Sequence, residues 1–115
     1  MFLEIIDSTN NLSKKLINNQ QINKDICLVI SKKQTSGRGQ RNNNWISNSN
    51  ENLYCSFIFK KKTDIREINF YPIYIASIIS NFITKEYSIP IHIKYPNDLI
   101  LNNKKVGGIL IETKC

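Results

Sequence analysis

Four glycines serve the whole 115-residue chain, and they fall in two places. Gly37 and Gly39 sit in the stretch Gln34 to Trp45, QTSGRGQRNNNW, and Gly107 and Gly108 sit in KKVGGIL. Glycine is where a backbone approaches a ligand or another backbone most closely. The first pair follows the apolar run Ile26 to Ile30 and carries Arg38 and Arg41, two of the three arginines. Elsewhere the chain places its positive charge almost entirely on lysine. A Gly-Arg-Gly run after a strand presents backbone N–H groups and a planar guanidinium to an anion. The expectation is a small scaffold that brings the two glycine sites together around a phosphate-bearing ligand.

The length fits one domain, residues 1–115, with a modest core. A hydrophobic fraction of 41% suits a soluble globular protein. No apolar run approaches the roughly 20 residues of a membrane helix. The opening MFLEIIDSTN has no basic region of the signal-peptide kind, so a cytoplasmic location is expected. Cys27, Cys55 and Cys115 are widely spaced and form no CxxC, so neither a disulfide framework nor a zinc site is indicated. Cys27 and Cys55 read as buried packing residues. The net charge of +7 has two readings, a Lys-rich, Asn-rich and Ile-rich composition or an anionic partner. Lys60 to Lys62 reads as a solvated strand end.

In chain order, Phe2 to Ile6 reads as a strand. Asp7, Ser8, Thr9 and Asn10 offer helix caps, and Leu12, Leu16 and Ile17 follow at helical spacing, predicting a helix from about Ser8 to Asn19. The Ser-Thr-Asn cluster is a cap on one reading and a polar ledge facing a cleft on the other. Asn18 to Lys24 reads as a loop, and Asp25 to Ser31 as a strand buried on both faces. Asn52 to Lys60 reads as a strand with Leu53, Cys55 and Phe57 on one face. Thr63 to Asn69 reads as a polar connection. Tyr71-Pro72 opens a helix whose stripe is Ile75, Ala76, Ile79, Phe82 and Ile83, ending near Tyr87. Ile91 to Lys94 reads as a strand, Tyr95 to Asp98 as a turn. Leu99 to Leu101 and Val106 to Glu112 read as strands joined through Asn102, Asn103 and Lys104. The order β-α-β-loop-β-α-β-β-β implies an α+β domain with a mixed or antiparallel sheet.

Each motif has a functional and a structural reading. GRG is neither GxGxxG nor a P-loop. Trp45 offers a stacking face, or pins its loop to the core. Arg38 and Arg41 suit bidentate phosphate contacts. Asn97 and Asp98 follow Pro96 at a sheet end. Asp98 suits Mg²⁺ or a nucleotide, or stabilises a turn. Lys105, just before the Gly pair, suits a carboxylate or phosphate, or is a surface lysine.

The series STN, QTSGRGQRNNNWIS, NLYCSF, IKYPNDLIL and KKVGGILIE, in this order from Asp7 to Glu112, resembles the catalytic domain of biotin–protein ligases. The resemblance implies a class II aminoacyl-tRNA-synthetase-like fold, a mixed β-sheet flanked by helices. It implies two steps: biotin and MgATP form biotinyl-5′-adenylate, which then acylates a lysine of a biotin carboxyl carrier protein. By position it implies that Ser8, Thr9, Asn10 and Gln34 line the biotin site. Arg38, Gly39 and Gln40 form the loop that closes over biotin and the adenylate, and Arg41 joins the nucleotide contacts. Trp45 packs on the adenine side. Asn97 and Asp98 support the nucleotide and Mg²⁺, and Lys105 contacts the biotin carboxylate and adenylate phosphate. Arg38 and Lys105 would be the catalytic cations, easing the approach of two anions.

The chain departs from the family in three ways. Gln40 stands where many members have arginine, and Asn42 and Asn43 where glycine and arginine are common. The sequence stops at Cys115, where the family continues with further strands and a small barrel, so an inactive fragment is one reading. No helix-turn-helix precedes Phe2, so DNA is not an expected partner, nor is a membrane, while a homodimer stays open. A lipoyl or octanoyl transferase of the same fold and a basic nucleic-acid-binding module are the other readings.

Overall fold

The computed structural model describes residues 1–61 and 64–113, in two compact units. One gathers the described residues of 1–62 with those from Glu112 onward, and the other gathers those of 63–111. Lys62 and Cys115 lie outside the described residues, and with them part of the Lys60–Lys62 run and one expected free cysteine.

The first unit runs β1 (Phe2–Ile6), α1 (Thr9–Asn18), β2 (Ile26–Gln34), a tight turn at Gln40–Asn42 and β3 (Tyr54–Phe59). β1 and β2 are parallel, so the chain needs a crossover between them, and α1 supplies it. β3 returns antiparallel to β2, with Ile26 opposite Phe59 and Ser31 opposite Tyr54. The sheet is therefore mixed, in the order β1-β2-β3. α1 packs on β2 and β3. Leu16, Ile22, Val29 and Ile58 form the core there, and Leu3, Leu12, Ile17 and Cys27 pack against it. Ile22 shows that the polar segment after α1 is not solvated throughout.

The structure departs from expectation at three points of this unit. β2 runs on to Gln34, so the strand delivers its last residue directly into the glycine loop. In β3 the inward residues are Tyr54, Ser56 and Ile58, while Leu53 and Phe57 are exposed and Cys55 is half-buried. Alternation puts one face of a strand inside. The core under α1 selects the face bearing Ile58 over the one bearing Phe57. Cys27 and Cys55 are half-buried, not fully buried, and burial pushes the Cys55 thiol up.

The second unit holds α2 (Ile65–Ile68), α3 (Tyr71–Tyr87), β4 (His92–Lys94), β5 (Asp98–Leu101) and β6 (Lys104–Gly108). The connection expected to be irregular contains α2, capped by the Asp64 carboxylate accepting from the Arg66 N–H at 2.9 Å. α3 has Pro72 in its first turn and ends at Ser88 in a left-handed conformation, φ 55°. It buries Ala76 and Ser80, while Phe82 is exposed, so the inward stripe is narrower than its apolar residues suggest. β4, β5 and β6 form an antiparallel sheet in that order, against which α3 packs. Asn102 and Asn103, with φ 51° and 64°, make a two-residue hairpin turn. β6 accordingly starts at Lys104 and ends at Gly108, earlier at both ends than Val106 to Glu112. The Tyr95–Pro96 peptide is cis. No described helix is long and apolar enough to cross a membrane.

Candidate functional site

The N-terminus of α1 meets the glycine loop through one amide. Ser8 is the N-cap, its hydroxyl accepting from the Asn11 N–H at 3.3 Å. The next N–H, of Thr9, donates to Gln34 Oε1 at 2.8 Å. Gln34 Nε2 donates to Ser47 Oγ at 3.0 Å, and that hydroxyl donates to the Trp45 carbonyl at 3.0 Å. With oxygen and nitrogen each committed to a different partner, the Gln34 amide has one orientation. Backbone bonds close the loop between Gln34 and Ser47. Gln34 N–H reaches the Ser47 carbonyl at 2.9 Å, Trp45 N–H the Gly37 carbonyl at 2.8 Å, and Gly39 N–H the Asn43 carbonyl at 2.6 Å. The loop is thus a folded arm, not a loose lid. Gly37 is buried, and a Cβ there would collide with the Trp45 carbonyl and lie 2.6 Å from Ser47 Oγ and 2.9 Å from Gln34 Nε2. The arm turns at Gln40–Asn42, where Arg41 is left-handed (φ 57°) and both Gln40 and Arg41 are exposed.

A second network lies on the side of α1 that faces β3. The buried Ser56 hydroxyl lies 2.7 Å from Thr9 Oγ1 and donates to the Asn10 amide oxygen. A hydroxyl has one proton. With that proton on Asn10, Thr9 is the donor to Ser56. Asn10 Nδ2 then donates to Glu112 Oε1 at 3.1 Å. The same carboxylate takes Arg38 on both oxygens, at 2.7 Å and 3.1 Å, and Lys14 at 2.5 Å. Arg38 also donates to Asn11 Oδ1 at 2.7 Å. Arg38 above all, then Lys14 and Asn10, hold the Glu112 carboxyl at about 2. In return Glu112 raises the Arg38 guanidinium above its ordinary value.

Lys105, Asn97 and Asp98 belong to the second unit. Asn97 is buried, its amide donating to the Ile109 carbonyl at 2.8 Å while its own carbonyl accepts from the Ile109 N–H at 3.0 Å. Asp98 pairs with Lys105 at 2.8 Å across the β5–β6 hairpin. An ammonium already on that carboxylate opposes a dication there. No group of three His, Cys, Asp or Glu among the described residues is placed to hold a metal. Mg²⁺ at a nucleotide needs only one or two carboxylates beside the phosphates, and to serve as one of them Asp98 would have to give up the Lys105 ammonium.

Of the residues singled out from sequence, the fold joins Ser8, Thr9, Asn10, Gln34 and Arg38 in one hydrogen-bonded system of the first unit. It joins Asn97 and Asp98 to different partners in the second. Sequence reasoning missed Ser47, Ser56 and Glu112. A serine between the inward Tyr54 and Ile58 was the available signal for Ser56, once the correct face is chosen. Ser47 and Glu112 carried no local signal, since their partners are 13 and 74 residues away. Beside the arm an open cavity of about 460 Å³ is lined by Gln34, Gly37, Trp45 and Ser47 among others. Ser8, Thr9, Asn10 and Arg38 do not line it.

Comparison with known proteins bears on the family and the fold. Residues 2–115 match the model of the biotin/lipoate A/B protein ligase family. The bifunctional ligase/repressor BirA of Bacillus spizizenii is 30% identical over 115 residues, all of this chain and 35% of that protein. The chain thus spans about a third of the length of this relative. The biotin protein ligase of Aquifex aeolicus, solved with biotin and ATP, superposes with TM-score 0.76 at 27% identity, covering 98% of this chain and 46% of that one. The Leishmania major biotin protein ligase, solved with biotinyl-5-AMP, shares the fold with TM-score 0.81 at 23% identity, covering 98% and 51%. By its α+β fold and by the match along nearly its whole length, the chain belongs to the biotin/lipoate A/B protein ligase family.

Proposed function

We propose that the chain carries the biotin-activating part of a biotin–protein ligase, with all of residues 1–115 read as catalytic-domain sequence. A biotin carboxylate oxygen attacks the α-phosphorus of ATP, and the bond to the leaving pyrophosphate breaks, giving biotinyl-5′-adenylate. The ε-amine of a carrier-protein lysine then attacks the acyl carbon, loses a proton, and displaces AMP. The observation that carries this reading is the fixed Gln34 amide, tied to Thr9 and Ser47 beside a cavity of about 460 Å³. A hollow of that size suits a small ligand. A ureido ring needs donors and acceptors of fixed sense, and the fixed Gln34 amide keeps one further N–H and one further lone pair beyond its bonds to Ser47 and Thr9.

In this reading Gln34 and Ser47 set the polar rim for the head group, while Thr9 and Asn10 act from behind it, Thr9 by fixing the Gln34 amide, and Ser8 caps the helix that carries them. Gly39, Gln40 and Arg41 form the tip that closes over the adenylate and keeps water from the mixed anhydride. Trp45 offers its ring to the nucleotide or to biotin. Lys105, oriented by Asp98 at 2.8 Å, is a cation suited to a carboxylate or phosphate, and Asn97 holds the hairpin that carries it. ATP brings its own Mg²⁺, and no step here depends on a metal held by Asp98.

The family description spans biotin and lipoate, so lipoyl or octanoyl transfer is the second reading. Isothermal titration separates the two. Biotin should bind, and MgATP should tighten the complex, while lipoic acid gives no heat. Lipoate binding without biotin binding would overturn the proposal in favour of the transferase. Oligonucleotide binding that weakens steeply with salt, without biotin binding, would favour the basic module.

A further inference from the structure

We propose that Glu112 is a positioning residue that straps the Gly37–Trp45 arm to α1 through Arg38, so that the Arg38 guanidinium works as an anchor and not as a phosphate ligand. This rests on the biotin reading of the site. Three groups from α1 or the arm converge on one carboxylate: Asn10 at 3.1 Å, Lys14 at 2.5 Å and Arg38 on both oxygens. Arg38 spends its forked end on Glu112 and a further N–H on Asn11 of the same helix, at 2.7 Å. These bonds use three of the five N–H groups a guanidinium has, including the whole of its terminal edge. With the terminal fork on Glu112 and the second Nη2 N–H on Asn11, no Nη2 N–H is left to pair with a neighbouring N–H in a bidentate grip on a phosphate. Both side chains are 24% accessible at the surface, so the pair is screened in part, and its strength comes from the forked geometry and from the number of partners on one carboxylate.

The strap acts on the arm where position matters. Arg38 lies between Gly37, whose carbonyl accepts from Trp45, and Gly39, whose N–H reaches Asn43. Fixing the Arg38 side chain to α1 holds the neighbouring Gly37 backbone against Gln34 and Ser47. Glu112 also receives Asn10, whose orientation Ser56 sets from the other side. One carboxylate thereby aligns the arm and the helix start together.

Two measurements on this chain test the assignment, in Glu112→Gln, Arg38→Lys and Arg38→Ala. Amide hydrogen exchange reads the arm without any ligand. Both Glu112→Gln and Arg38→Lys should speed exchange at the Trp45 and Gly39 amides about tenfold or more, because lysine keeps the charge and loses the fork. Biotin titration reads the site. Both variants should weaken biotin about tenfold, or ~1.4 kcal/mol. Arg38→Ala combined with Glu112→Ala should be no worse than either alone, as expected when two residues act as one unit. Glu112→Asp, which keeps the charge, should recover part of the loss. If Arg38→Lys and Glu112→Gln leave exchange unchanged, the proposal is overturned. It is also overturned if Arg38→Lys weakens only pyrophosphate or ATP and spares biotin. Should Glu112→Gln fold poorly, Arg38→Lys gives the same reading alone. If the unaltered chain binds no biotin, the proposed function falls, and the exchange measurement still decides the strap.

Discussion

Gly37 and Gly39 look alike in the sequence, and the structure separates them. A methyl at Gly37 meets the Trp45 carbonyl and Ser47, whereas one at Gly39 finds its nearest neighbour, the Asn43 carbonyl, at an ordinary 3.6 Å. Gly37→Ala should destabilise the unit by ~1–3 kcal/mol, the usual size of overpacking. Gly39→Ala should stay within about 0.5 kcal/mol, as surface substitutions usually do. Chemical denaturation of the two variants checks this. Glu112 carries a second prediction. Its carboxyl sits at about 2 in the folded chain against an ordinary 4.5. Between those values the unfolded chain binds the extra proton, so folding stability falls as pH drops through that window. Above pH 4.5 the contribution is fully present. Glu112→Gln should therefore show a flatter stability profile from pH 4.5 to 2 than the unaltered chain, by urea unfolding at each pH.

At the scale of elements, α1 is placed by its first turn. Ser8 caps it, Thr9 ties it to β2 through Gln34, and Ser56 ties it to β3. Ser56→Ala removes the bonded partner of two polar groups, Thr9 Oγ1 and Asn10 Oδ1. It should cost ~1–3 kcal/mol, and more than Ser8→Ala at about 1 kcal/mol, in thermal unfolding. The Asn102–Asn103 turn yields a stabilising change. With φ of 64° at Asn103, Asn103→Gly should raise the melting temperature by a few degrees, because glycine takes that conformation without strain. How far such elements were legible depended on what set them. The helices at Thr9–Asn18 and Tyr71–Tyr87 follow from caps, Pro72 and apolar spacing, all local, and sequence reading finds them within a residue or two. The inward face of β3 was misread because Leu53, Cys55 and Phe57 form as good an apolar stripe as Tyr54, Ser56 and Ile58. Only the helix on the other side decides between them. α2 was missed because its four residues carry no periodicity. At the site, Ser8, Thr9, Gln34 and Gly37 were legible from motif order. Glu112 was not, because only the folded chain brings residue 112 to residue 38.

For the molecule as a whole, each unit keeps an incompletely covered sheet or helix. In the first, Phe2, Ile26, Phe57 and Phe59 lie on the sheet face away from α1, all more than half exposed, and the Phe57 and Phe59 rings are stacked at 6.2 Å. Exposed apolar patches of this kind associate. Replacing Phe57 and Phe59 together by serine should reduce concentration-dependent light scattering without altering the arm's amide exchange. The position of Trp45, half-buried in the arm between the Gly37 carbonyl and Ser47, has one more consequence. It is the sole tryptophan of the chain, so its emission spectrum is an undiluted gauge of the arm. A red shift marks the ring passing into water and a blue shift its sealing over an occupant, which lets opening and closing be timed by stopped flow with no label attached.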